Sequence, residues 1–300
     1  MKKKTYLFAL MAMALTLGSC SDNENGIGGE TSKYITVSTS IGNMTRVATD
    51  EKGGQTFEEG DEISVYAWTG DATVAPETRE RVVNNAINKL TNGSWVSTPQ
   101  MLWKNNRDKH YFIGVYPISA ISDLSAGEYT FDVNKQTESD LLVAVNKDGL
   151  SYNVDEQQTV PLTFTHVMAK LVVNLTYKNQ WGGIPTVEKV VVGNAAKEAT
   201  INYLTKVVTP STTAKEDFSL PEITENTKYV SVIIPQEDVK QLTIVIGGKN
   251  FVYDNGTPFK LESGKITTVN LEVGRDEIKL GDVKITDWEN GSTFSGEALN

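Results

Sequence analysis

The stretch "TVPLTFTHVMAKLVVNLTY", Thr159 to Tyr177, decides how this chain is built. In its first half Val160, Leu162, Phe164, His166 and Met168 alternate onto one face; in its second half Val167, Ala169, Leu171, Val173 and Leu175 take the opposite parity. Apolar residues two apart mark a half-buried β-strand, and a one-residue change of phase turns the buried face over. The run is therefore expected to bulge, or to leave one core for another, between Pro161 and Met168. That boundary divides the chain into an N-terminal β-sandwich, 33–160, and a C-terminal one, 161–300, each of ordinary domain size.

The rest of the chain agrees with an all-β class. Short runs rich in Val, Ile, Thr, Tyr and Phe recur, among them "EISVYAW" (62–68), "HYFIGVY" (110–116), "YVSVIIP" (229–235) and "ITTVNLEV" (266–273). Between them lie turn signals at Asn92-Gly93, Asp148-Gly149, Gly182-Gly183, Gly247-Gly248, Asn255-Gly256 and Asn290-Gly291. One amphipathic helix is conceivable over 78–90, "TRERVVNNAINKL", although its β-branched residues leave a strand open.

The N-terminus reads as an export signal. Lys2 to Lys4 precede a short apolar run and the small residues before Cys20, too short a stretch for a spanning helix of roughly 20 residues. Residues 1–19 are expected to be a signal peptide. Cys20 is the single cysteine, so no internal disulfide forms, and "LTLGSC" is similar to a bacterial lipobox whose cysteine is lipidated. The polar segment 20–32 is expected to be a tether. The formal charge of −10 argues against a nucleic-acid partner, which requires basic stripes to neutralise phosphates.

Little in the sequence points to catalysis. His110 and His166 both sit inside apolar strand runs, without the spacing of a metal site, and are read as strand histidines. Glu58, Glu59, Asp61 and Glu62 surround Gly60 and are expected to build a turn that introduces a strand, with Glu62 on its solvent face, rather than an acid/base pair. The tryptophans, Trp68, Trp95, Trp103, Trp181 and Trp288, fit core and corner positions; exposed together they would instead form a glycan-binding platform, the alternative function. No enzyme activity, cofactor or metal is expected.

Taken in order, "LGSC" with its acidic tail, "ITVSTSIGNMTR" (35–46), "FEEGDEISVYAW" (57–68), "NGSWVSTPQMLW" (92–103), "HYFIGVYP" (110–117), "LTFTHVMAKLVVNL" (162–175) and "ITDWENG" (285–291) resemble the fimbrillin family, subunits of the surface fimbriae (type V pili) of Gram-negative anaerobes. The resemblance implies two tandem transthyretin-like β-sandwiches, a lipid anchor in the outer membrane at Cys20, other fimbrial subunits as partners, and a host or bacterial surface receptor. It also implies cleavage between Arg46 and Val47 by an arginine-specific protease, which removes the first strand. In that strand Ile35, Val37, Thr39 and Ile41 would face the core as a plug. The vacated groove would take a neighbour's strand by β-augmentation. Val283, Ile285 and Trp288 could supply a donor strand, or belong to the last strand of the second sandwich.

Overall fold

The computed structural model describes residues 33–42, 56–153 and 158–288. In chain order the strands of the first half are β1 (Thr36–Ile41), β2 (Glu62–Thr69), β3 (Arg81–Thr91), β4 (Ser94–Thr98), β5 (His110–Tyr116), β6 (Gly127–Thr130), β7 (Leu142–Leu150) and β8 (Thr159–His166). There follow β9 (Ala169–Tyr177), β10 (Val187–Ala196), β11 (Glu198–Asn202), β12 (Val207–Pro210), β13 (Lys215–Ser219) and β14 (Glu222–Thr224). The last are β15 (Lys228–Ile233), β16 (Gln236–Ile246), β17 (Lys249–Leu261), β18 (Lys265–Val273) and β19 (Ile278–Asp287). Among the described residues, helix is confined to two three-residue 3-10 turns, Thr78–Glu80 and Asn179–Trp181.

These strands form four β-sandwich-like sheets. A seven-stranded sheet runs β1-β8-β7-β5-β2-β3-β4; the others run β13-β10-β16-β17, β12-β11-β6 and β14-β15-β9-β18-β19. The central strands β2 and β5 are buried on both faces, which is why "EISVYAW" and "HYFIGVY" read as continuous apolar runs. One face of the large sheet carries a core of Ile63, Val65, Phe112, Ala144, Leu162 and Phe164. Its other face contributes Tyr66, Ile113 and Val143 to a second core that continues through the later sheets to Trp288.

The change of phase in 159–177 has a structural cause. The run is split at Val167-Met168: β8 belongs to the seven-stranded sheet and β9 to the five-stranded one. Val160, Leu162 and Phe164 enter one core, and Leu171, Val173 and Leu175 enter the other. Met168, which alternation alone groups with β8, packs with the second core.

The segment 78–90 is mostly strand. Its helix-like spacing comes from a bulge, because Val65 pairs with Ala86 while Ala67 pairs with Val83, leaving Asn84 and Asn85 opposite one residue. Asn85 takes φ 53° there, and the buried positions fall at 81, 83, 86 and 88, a three-residue step inside a period of two. The Asn92-Gly93 signal makes the β3–β4 hairpin, with φ of 51° and 73° as a primed turn requires. Asn255-Gly256 lies instead inside β17, where the register opposite β16 skips between Asp254 and Phe259, and Asp148-Gly149 lies inside β7.

Candidate functional site

The site is the place of β1 in its sheet. β1 pairs in parallel with β8 from Thr36↔Thr159 to Ile41↔Phe164, at the end of the sheet. Its entry is held from the opposite end of the same sheet, beyond β4: Ile35 N–H donates to Met101 O at 2.9 Å and Trp103 N–H to Lys33 O at 3.2 Å. β1 therefore bridges the opening of a curled sheet.

Side chains fix the strand further. Ile35, Val37 and Ile41 are buried, while Thr39 is half-buried and accepts a hydrogen bond from Trp95 Nε1 at 3.0 Å. On the other face Ser40 Oγ donates to Thr163 Oγ1 at 3.2 Å, and the Thr36 and Thr159 hydroxyls meet at 3.2 Å. The row packs with Val160, Leu162, Phe164 and Met101 in one core, edged by Phe57 and Trp95. Phe57 stands edge-on to Trp95 at 5.3 Å and to Phe164 at 5.1 Å, so the segment that follows residues 43–55 is pinned to the floor beneath β1. Tyr116 packs on Phe57, and burial, with nearby Asp61 adding to it, pushes its hydroxyl up to about 12.

β1 and β8 are 123 residues apart at their first shared hydroxyl contact, so no hairpin ties them together. A parallel edge strand without a local connection is an element whose removal leaves the remaining ladder intact. It also leaves residues 159–163 of β8 without a strand partner among the described residues, since β7 pairs with β8 from Ala144↔Phe164 onward. Arg46, Val47 and Cys20 lie outside the described residues.

The C-terminal segment forms β19, paired antiparallel with β18 at the end of the five-stranded sheet. Asn270 opposes Asp282 and Leu271 opposes Leu280, so Gly281 is a bulge that turns Ile278 and Leu280 onto the same face as Val283 and Ile285. Sequence parity separates these pairs and hid the row. Val283 and Ile285 are each 39% exposed, whereas Trp288 is 8% exposed.

The remaining candidates are structural. Buried His110 accepts from Lys104 N–H at Nε2, 3.0 Å, and meets Asp108 O at Nδ1, 3.1 Å; burial lowers its pKa. Glu59 accepts from Asn92 N–H at 2.7 Å and Asp61 from Glu58 N–H at 2.7 Å, both at turns, while Glu62 pairs across the β2–β3 ladder with Lys89 at 3.1 Å, so these carboxylates do not converge. Trp68, Trp103 and Trp288 are buried, and the indole N–H of Trp181 donates to Val273 O at 3.0 Å; the five indoles share no exposed face.

The described residues thus form an all-β fold closed by an edge strand without a local connection, and the carboxylates singled out in the sequence serve turns and strand pairs. A family model described as fimbrillin-like matches residues 45–288, and the chain belongs to that family of fimbrial structural proteins. It is similar to a candidate fimbrium subunit, Fim1C, of Bacteroides uniformis, 25% identical over 323 aligned residues, covering 99% of this chain and 100% of that protein. Among solved structures it is similar to a candidate cell adhesion protein from Bacteroides ovatus, with a TM-score of 0.61, 18% identity and coverage of 85% of this chain and 98% of that one. It is also similar to a fimbrial protein from Bacteroides vulgatus, with a TM-score of 0.54, 12% identity and coverage of 84% and 99%. At these identities the structural likeness speaks for the fold.

Proposed function

We propose that the protein is a subunit of surface fimbriae, exported behind signal peptide 1–19 as a lipoprotein anchored in the outer membrane through Cys20. In this reading two tandem transthyretin-like sandwiches, 33–160 and 161–300, follow the tether 20–32. Cleavage after Arg46 leaves Val47 as the new N-terminus and releases β1. The groove then takes a strand from a neighbouring subunit, and the finished fimbria offers its surface to a host or bacterial receptor.

The observation that supports this most is the placement of Ile35, Val37 and Ile41, buried on an edge strand that no hairpin retains. Burying such a side chain contributes roughly 1.5–3 kcal/mol, so an emptied groove lacks several kcal/mol that a donor strand restores. Unpaired backbone on β8 adds to that drive. The C-terminal segment is the donor candidate in this chain: Val283 and Ile285 are spaced as Ile35 and Val37 are.

Digestion of the purified chain with an arginine-specific protease is expected to yield a new N-terminus at Val47 and ladders of oligomers, with Arg46→Ala resisting both. A cleaved chain that stays strictly monomeric at high concentration would falsify polymerisation through this groove.

A further inference from the structure

β19 is attached to its protein in an uneven way. Nine of its ten positions are exposed, and the apolar row Leu280, Val283, Ile285 remains 36–39% exposed even on the inward face. Along its length it is held by the backbone ladder to β18 and by exposed ion pairs such as Lys265–Asp287, which contribute little. At its end the arrangement changes. Trp288 is 8% exposed, lies flat on the His166 imidazole with centroids 4.0 Å apart and planes 6° from parallel, and has Lys170 Nζ 5.1 Å from its ring centroid. Its backbone N–H donates to Gly264 O at 3.0 Å.

The ring's platform is itself fixed from both halves of the chain. His166 Nδ1 donates to Asp140 Oδ1 at 2.8 Å, which joins the end of β8 to the start of β7, and Lys170 belongs to β9. Trp288 thus sits on the seam where the run 159–177 changes core, and it is the part of the C-terminal segment with deep side-chain burial. A flat aromatic stack reinforced by a cation over the ring is a strong contact for one side chain.

We propose that Trp288 is the fastening that holds β19 on its own sheet, and that its withdrawal from the His166–Lys170 platform is what frees the strand for a neighbouring subunit. The second half rests on the strand-exchange reading above; the first does not. A strand secured at one end, with a mostly exposed body, opens from that end as a local unit while the core stays closed.

Hydrogen exchange on the full chain, read by mass spectrometry, tests this in the wild type, Trp288→Ala and Trp288→Phe. In Trp288→Ala the amides of 278–287 are expected to lose at least about tenfold protection while those of 228–233 on β15 keep theirs, with Trp288→Phe between. Unchanged exchange in β19, or an equal loss throughout the chain, overturns the fastening. After arginine-specific cleavage Trp288→Ala is expected to assemble faster than wild type, and an equal rate overturns the release step. If cleaved wild type never assembles, strand exchange itself falls, and the exchange data still decide the fastening.

Discussion

The indole N–H of Trp95 donates to Thr39 Oγ1 at 3.0 Å, so the polar member of the inward row of β1 is held from β4, the opposite end of the same sheet. Thr39→Val keeps the shape and β propensity of the strand but leaves that indole N–H without its partner. A net hydrogen bond contributes about 1 kcal/mol, and Thr39→Val is expected to lose about that much stability, while Thr39→Ser retains most of it. Urea unfolding of the two variants measures the difference. A Thr39→Val chain as stable as Thr39→Ser would mean that the bond across the opening contributes nothing.

The floor beneath β1 is tightly packed at Gly114. A Cβ built on Gly114 of β5 meets Phe164 Cζ at 2.7 Å and Leu162 Cδ1 at 3.1 Å, and both of those side chains pack in the core that β1 covers. Gly114→Ala is expected to cost roughly 1–3 kcal/mol by overpacking and to disturb β8 before the later sheets. Thermal unfolding reads the loss. Proton shifts of Phe164 and Ile41 that moved no more than those of Val190 would contradict the route through β8.

The two cores were legible at 159–177 because a half-buried strand writes its face into every second residue, and a change of face must appear as a change of phase. Bulges were not legible, since they insert one residue without a chemical signature. The Asn84-Asn85 bulge gave β3 a helix-like step, and the Gly281 bulge hid the apolar row of β19. Nor does alternation reveal partners: β1 against β8, or β6 against β11, are pairings over long separations that depend on tertiary packing. The His166–Trp288 stack was invisible for the same reason.

The Gly281 bulge leads to a prediction of tolerance. Deleting Gly281 gives "IKLDVKITD", in which the residues now numbered Ile278, Leu280, Val283 and Ile285 alternate without a break. β19 can then pair straight along β18 with the same row facing inward, so the deletion is expected to change stability by no more than about 0.5–1 kcal/mol, unlike an ordinary one-residue deletion in a strand. A melting temperature near that of wild type, with unchanged protection on β18, is the expected result. A collapse in stability would show that the bulge is needed for more than phase.

Lys170 makes the stability of the seam depend on alkaline pH. It is 4% exposed, and burial, with Lys228 adding and Asp140 opposing, holds its pKa down from an ordinary 10.5 to about 8. Below about pH 8 both folded and unfolded chains carry the proton, and the fold bears the full penalty of the buried ammonium. Between about 8 and 10.5 the unfolded chain holds a proton that the folded chain has released, so stability rises with pH, by at most about 1.4 kcal/mol per unit. Tyrosines work in the opposite direction above about pH 10, because burial raises them and the unfolded chain ionises first. Below that, from about pH 8 to 9.5, the tyrosines are silent, and Lys206, which burial also lowers, adds a rise of the same sign to that of Lys170. Lys170→Met removes its own titration and is expected to make the wild-type rise in that window shallower, leaving the part that Lys206 contributes, measured by urea unfolding at several pH values. At pH 7 the same variant relieves the buried charge but gives up the cation over Trp288, and it is expected to unfold at higher urea while β19 alone exchanges faster.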